Sequence, residues 1–197
     1  MPGPVAVGET VEATWAHVEG RFEEAERLYR QAAARMARQG SPHAEGILEV
    51  AIATLRASQG RLAKSLPRLR QVYVAFGPPA GDLLAVAPAA AGEEREAREI
   101  LDRAGPLRTD HFFKVFATFR AMTLITLGER SGAEELYAAL LPYRDAPPVS
   151  SGITVAVRPV ARTPGEPAVL LGREDEARPL RTRGGRRRAV AQPVEVT

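Results

Sequence analysis

The sequence predicts an all-α fold: an α-solenoid of antiparallel helical hairpins followed by an irregular or disordered C-terminal tail. Three observations predict it. Apolar residues recur at the helical period on otherwise charged segments. A glycine-led frame returns at intervals that suit two-helix units. Capping and turn residues fall between these segments rather than inside them.

Taken in order, residues 1–10 are expected to be a flexible N-terminus, and the first helix is expected in EATWAHVE, residues 12–19. Gly20 to Ala33 then reads GRFEEAERLYRQAA. Here Phe22, Ala25, Leu28, Tyr29, Ala32 and, further on, Met36 form one apolar stripe. Glu23, Glu24 and Glu26 lead this helix while Arg27, Arg30, Arg35 and Arg38 follow, which complements the helix dipole and sets Glu26 four residues before Arg30. Ser41 and Pro42 suit the N-cap and first position of the helix in GILEVAIATLRASQ. RLAKSLPRLR follows Gly60, and FGPPAGD is a turn before GDLLAVAPAAA. GEEREAREILDRA opens at Gly92 with Glu93, Glu94 and Glu96 in a first helical turn. RAGPLRTD is a second inter-unit turn, and Asp110 can cap the helix of residues 112–127. Ser131 and Glu134 have capping-box spacing before ELYAALLPYRD. In the last unit, Pro164, Gly165 and Pro167 interrupt the segment where a first helix would run.

The frame itself is a glycine, a small residue five places on, a large residue four further and a small or apolar one three further. It occurs at Gly20, Ala25, Tyr29, Ala32; at Gly60, Ser65, Leu69, Val72; at Gly92, Ala97, Leu101, Ala104; and at Gly128, Ala133, Tyr137, Leu140. Its opening returns at Gly172 and Ala177. A helix can end on glycine in the left-handed region without a Cβ penalty, and the small residue lets two helix backbones approach. These residues predict a helical-repeat domain over 11–177, degraded from about 146, and a basic tail over 178–197.

GRFEEAERLYRQA and GEEREAREILDRA resemble tetratricopeptide-type repeats. With RASQGRLAKSLPRLR and LITLGERSGAEELYAALLPYRD, the succession is similar to the C-terminal solenoid of large bacterial signal-transduction ATPases. Those proteins join an AAA-type nucleotide-binding module to a solenoid and to a transcription-factor or adenylate-cyclase output. The resemblance implies that this chain is the sensing or scaffolding part of a bacterial transcriptional or signalling regulator. No Gly-x4-Gly-Lys-Ser/Thr loop occurs in it, so the nucleotide-binding module is not expected here.

Composition narrows the function classes. With no cysteine, disulfides, thiolate metal sites and cysteine nucleophiles are excluded. No apolar run reaches the roughly 18 residues that a membrane span needs, so the expectation is a cytoplasmic chain without membrane contact. The net charge is +3, but residues 178–197 hold six arginines against Glu195, which leaves the first 177 residues at about −2.

Catalysis has little support. His17, His43 and His111 lie in different units, no metal-ligand spacing occurs, and no cofactor is expected. In a solenoid the first helices line the concave side, which makes Trp15, His17, Arg56, Lys114 and Arg120 the candidate residues for a protein or peptide partner. Phe113 or Phe116 is the candidate for facing a groove. The expected function is thus a non-enzymatic interaction or regulatory scaffold. A small-molecule-sensing solenoid is one alternative. The other is a nucleic-acid-associated protein acting through the tail, with Arg186, Arg187 and Arg188 as candidate phosphate contacts, although no aromatic interleaves them. The interrupted last unit leaves an apolar end uncapped, over which a homodimer could form.

Overall fold

The computed structural model describes residues 4–107, 109–110, 112–130, 132–143, 167–173 and 175. Among them the fold is all-α, with no strand. Helix α1 spans Pro4–Val18, α2 Phe22–Arg38, α3 Ala44–Ser58, α4 Leu66–Phe76, α5 Gly81–Ala91, α6 Glu94–Arg103, α7 Phe113–Leu127 and α8 Ala133–Leu140. Short 3₁₀ turns occupy Leu62–Ser65, Pro78–Ala80 and Leu141–Tyr143. In space α1 packs on α2, α2 on α3, α4 on α5, and α7 on α8, while α5 touches α4, α6 and α7 and so sits at the centre.

The glycine frame corresponds to one repeated local structure. Gly20, Gly60, Gly92, Gly128 and Gly172 all have positive φ, between 64° and 83°. At each, the glycine N–H donates to the carbonyl three residues back: His17, Ala57, Ala89, Ile125 and Val169. The next residue's N–H reaches the carbonyl five back, at 2.8–2.9 Å: Arg21 to Ala16, Arg61 to Arg56, Glu93 to Pro88, Glu129 to Leu124 and Arg173 to Ala168. This pair of bonds is the Schellman cap, which satisfies carbonyls that the helix end leaves without partners. The small residue of each full frame is buried (Ala25, Ala97 and Ala133 at 0% exposure, Ser65 at 8%), as are Tyr29, Leu69 and Tyr137. Leu101 and Ala104 are only partly covered.

Helix α2 buries Ala25, Leu28, Tyr29, Ala32 and Met36 of the expected stripe and also Ala33, while Phe22 is partly buried. Each of its large apolar side chains contributes about 1.5–3 kcal/mol by leaving water. Helix α5 has no solvent face from Gly81 to Ala89. At Gly81 a Cβ would lie 2.6 Å from the Ala104 Cβ, so glycine is what allows α5 to meet the end of α6 this closely.

Several boundaries differ from the sequence expectation. Helix α1 runs back to Pro4, through residues expected to be flexible, because Ala6 and Thr10 continue the face that α1 buries. The N-cap of α3 is His43 rather than Ser41, and no side chain caps it. The chain after Gly60 makes a 3₁₀ turn before α4, whose Pro67 lies in the first turn. The N-cap of α7 is Phe112, and Asp110 acts one step earlier, its Oδ1 accepting the Phe112 N–H at 2.9 Å. Ser131, the interrupted segment at 164–166 and the tail at 178–197 lie outside the described residues. Ala168 is fully buried against Tyr137, and Arg173 pairs with Glu134 at 2.6 Å.

Arginine–carboxylate pairs join the helices. Glu9 of α1 accepts two bonds from Arg35 of α2, at 2.7 and 2.9 Å, and a third from Gln31; the Arg35 guanidinium holds the Glu9 carboxyl below its ordinary pKa. Arg56 of α3 reaches Glu26 of α2. Arg68 of α4 bonds Glu49 and Glu45 of α3. Arg70 of α4 reaches Glu93 at 2.7 Å and Glu96 of α6 at 3.0 Å. The acidic start of α6 therefore serves as an interhelical contact as well as a dipole complement.

Candidate functional site

An apolar hollow is built where four helices converge. Near its N-terminus α3 contributes Gly46, Ile47 and Val50; α4 contributes Val72 and Phe76 from its far end. The Pro78–Ala80 turn and Leu83 of α5 close one side, and Phe112 and Phe116 close another. The resulting cleft has a volume of ≈540 Å³. Val50, Val72, Leu83 and Phe116 are buried and form its floor, whereas Phe76 is 46% exposed at the rim. The Phe112 and Phe116 rings meet edge to face, with centroids 6.3 Å apart. A Cβ on Gly46 would touch the Phe76 ring at 3.4 Å, so the bare backbone of α3 is what the ring lies against. His43 is the one ionisable side chain among the described residues lining the cleft.

The five expected partner residues are placed differently from one another. Trp15 is 55% exposed. His17 is 5% exposed, inside the protein rather than on a binding face, and this corrects the expectation. The reason is geometric: residues two apart on a helix point about 200° apart, so Trp15 and His17 could not share one face. The His17 Nε2 lies 2.9 Å from the Ser58 Oγ, and the ring packs edge-on to Phe22 and Tyr29. Burial pushes its pKa down to about 4. Arg56 is engaged by Glu26, as described above.

Arg120 bridges α7 and α5. Its Nε donates to the Asp82 Oδ1 at 2.6 Å and its Nη2 to the Oδ2 at 3.1 Å and the Gly105 carbonyl at 2.8 Å. Burial raises the Asp82 pKa, and the Arg120 contact opposes that rise. Arg120 also borders a smaller groove of ≈380 Å³ between α6, α7 and α8. Lys114 is half-buried, and desolvation lowers its pKa. His111, Arg186, Arg187 and Arg188 lie outside the described residues. Of the two phenylalanines expected to face a groove, Phe116 lines the cleft, whereas Phe113 packs against Tyr143 with centroids 5.1 Å apart.

The residues that the sequence reading missed are Gly46, Ile47, Val72, Phe76 and Leu83. One signal was present: Gly46 sits early in a helix where a better helix former would be favoured, and this marks a close approach. The meeting of α3, α4 and α7 had no sequence signal, since it depends on how helices distant in sequence are placed against each other.

Among the described residues no group of three His, Cys, Asp or Glu could hold a metal ion, and no helix is long and apolar enough to cross a membrane. Compared with protein-family models, curated proteins and solved structures, the chain matches none.

Proposed function

We propose that the chain is a non-enzymatic interaction and regulatory scaffold, a solenoid of helical hairpins of tetratricopeptide type acting as the sensing or scaffolding part of a bacterial regulator. The observation that carries this reading is the frame at Gly20, Gly60, Gly92 and Gly128, where each helix ends on the same glycine cap and the small residue five places on is buried; the cap itself also closes α2 at Gly40, outside the frame. Repetition of that kind belongs to stacked units, which present an extended surface to a partner. Of the polar candidates, Arg56 and Arg120 serve as struts between helices and His17 is packed away, which leaves Trp15 as the exposed candidate on α1. Trp15, exposed on α1, is the apolar anchor for a protein partner in this reading. The test is a thermal-shift and hydrogen-exchange comparison of the chain with the protein products of neighbouring genes. The expected result is stabilisation by one of them with new protection on α1, weakened by Trp15→Ser. Stabilisation by metabolites alone would contradict it.

A second reading, small-molecule sensing, is favoured by the apolar cleft, whose volume falls in the range of ligand pockets, about 300–1,000 Å³. Nucleic-acid association would depend on Arg186, Arg187 and Arg188, which lie outside the described residues.

A further inference from the structure

We propose that the cleft between α3, α4, α5 and α7 binds a small, uncharged, largely aromatic molecule. This rests on the sensing reading and names its ligand class.

Charge is the first argument. No Asp, Glu, Lys or Arg is among the described residues lining the cleft. The acidic groups on the same helices are turned to other partners: Glu45 and Glu49 of α3 to Arg68, and Asp82 of α5 to Arg120. An ionised group seated on the buried floor would surrender its hydration with no Asp, Glu, Lys or Arg among the described lining residues to pair it, His43 being the one ionisable side chain there, which costs several kcal/mol or more. An apolar ligand gains about 25 cal/mol for each Å² of surface it removes from water.

Shape is the second. The floor is already buried and the open side is rimmed by Phe76, so the site is a pocket for a compact body. Phe76 presents its ring from the end of α4, and Phe112 and Phe116 present theirs from the start of α7; aromatic pairs gain about 0.5–1.5 kcal/mol beyond burial in offset or edge-to-face geometry. An extended peptide fits less well. The walls are mostly helices, whose backbone groups beyond the first turn of α3 are bonded within the helix, and the described side chains lining the cleft are apolar apart from His43. A bound peptide's own N–H and C=O groups would lie buried without partners.

The experiment uses the full chain and two fluorescent probes with the same ring body: neutral N-phenyl-1-naphthylamine and its anionic sulfonate, 8-anilino-1-naphthalenesulfonate. The neutral probe should bind saturably with one-to-one stoichiometry, at least about tenfold more tightly than the sulfonate. Amide chemical shifts should move around Val50, Val72 and Leu83. Ile47→Trp, which fills the cleft from α3, should weaken the neutral probe by about tenfold or more while the circular dichroism is kept. Pro79→Trp at the rim provides the same test if Ile47→Trp does not fold. Absence of saturable binding, equal or tighter binding of the sulfonate, shifts confined to another surface, or fillings without effect would overturn the proposal. So would an apolar peptide that binds the cleft in place of the probe. If a charged metabolite stabilises the chain and cleft-filling abolishes that, the ligand class is wrong and the sensing reading stands. If nothing small binds the cleft, both fall.

Discussion

At the scale of residues, burial decides what the polar side chains do. His17 is held neutral because its ring is enclosed by Phe22, Tyr29 and Ser58, with a pKa pushed from 6.5 to about 4. The unfolded chain returns this ring to water and so binds more protons between pH 6.5 and 4. The neutral ring's contribution to stability is complete above pH 6.5 and drains away as pH falls through 4. Between pH 7 and pH 5 that loss is about 2 kcal/mol. Glu9, whose pKa is lowered, loses its own contribution in the same direction but at lower pH. His17→Gln removes the titration while leaving a polar group for Ser58. Urea unfolding should show wild type losing about 2 kcal/mol more than His17→Gln on going from pH 7 to pH 5. Parallel losses in the two proteins would show that His17 is not the group responsible.

At the scale of elements, close approach is governed by small residues, and some of this was legible in advance. The stripe of α2 and the buried Ala25, Ser65, Ala97 and Ala133 follow from spacing alone, since a helix fixes which residues share a face. The start of α1 was not legible, because PVAVGET lacks the charged periodicity that marks α2 and gains its helix from packing on it. The α3 cap was misassigned because Ser41 and Pro42 satisfy the capping pattern while packing of Ala44 shifts the helix start. Gly81 tests the close-approach argument. Gly81→Ala places a Cβ 2.6 Å from that of Ala104, and overpacking of this kind costs about 1–3 kcal/mol. Chemical denaturation should show a loss of that order, partly restored by adding Ala104→Gly. An unchanged midpoint in Gly81→Ala would mean that α5 and α6 are less tightly apposed.

At the scale of the whole molecule, each helix is stabilised by its neighbours, and a stack of repeated units is the proposed reading. The glycine caps were legible because a left-handed residue at a helix end leaves a sequence mark. The cleft was not, apart from Phe116, because α3, α4, α5 and α7 meet there and no local pattern records how helices distant in sequence are placed. Helix α5 is buried on every side and touches α4, α6 and α7, whereas α1 packs chiefly on α2. Stability in the proposed stack should therefore be graded, with neighbour interfaces adding along the chain. Native-state hydrogen exchange in low denaturant tests this directly. The account predicts that amides of α5 and α7 exchange slowest and that α1 and α2 open together at lower free energy. Uniform protection from α1 to α8, lost in one step, would contradict it.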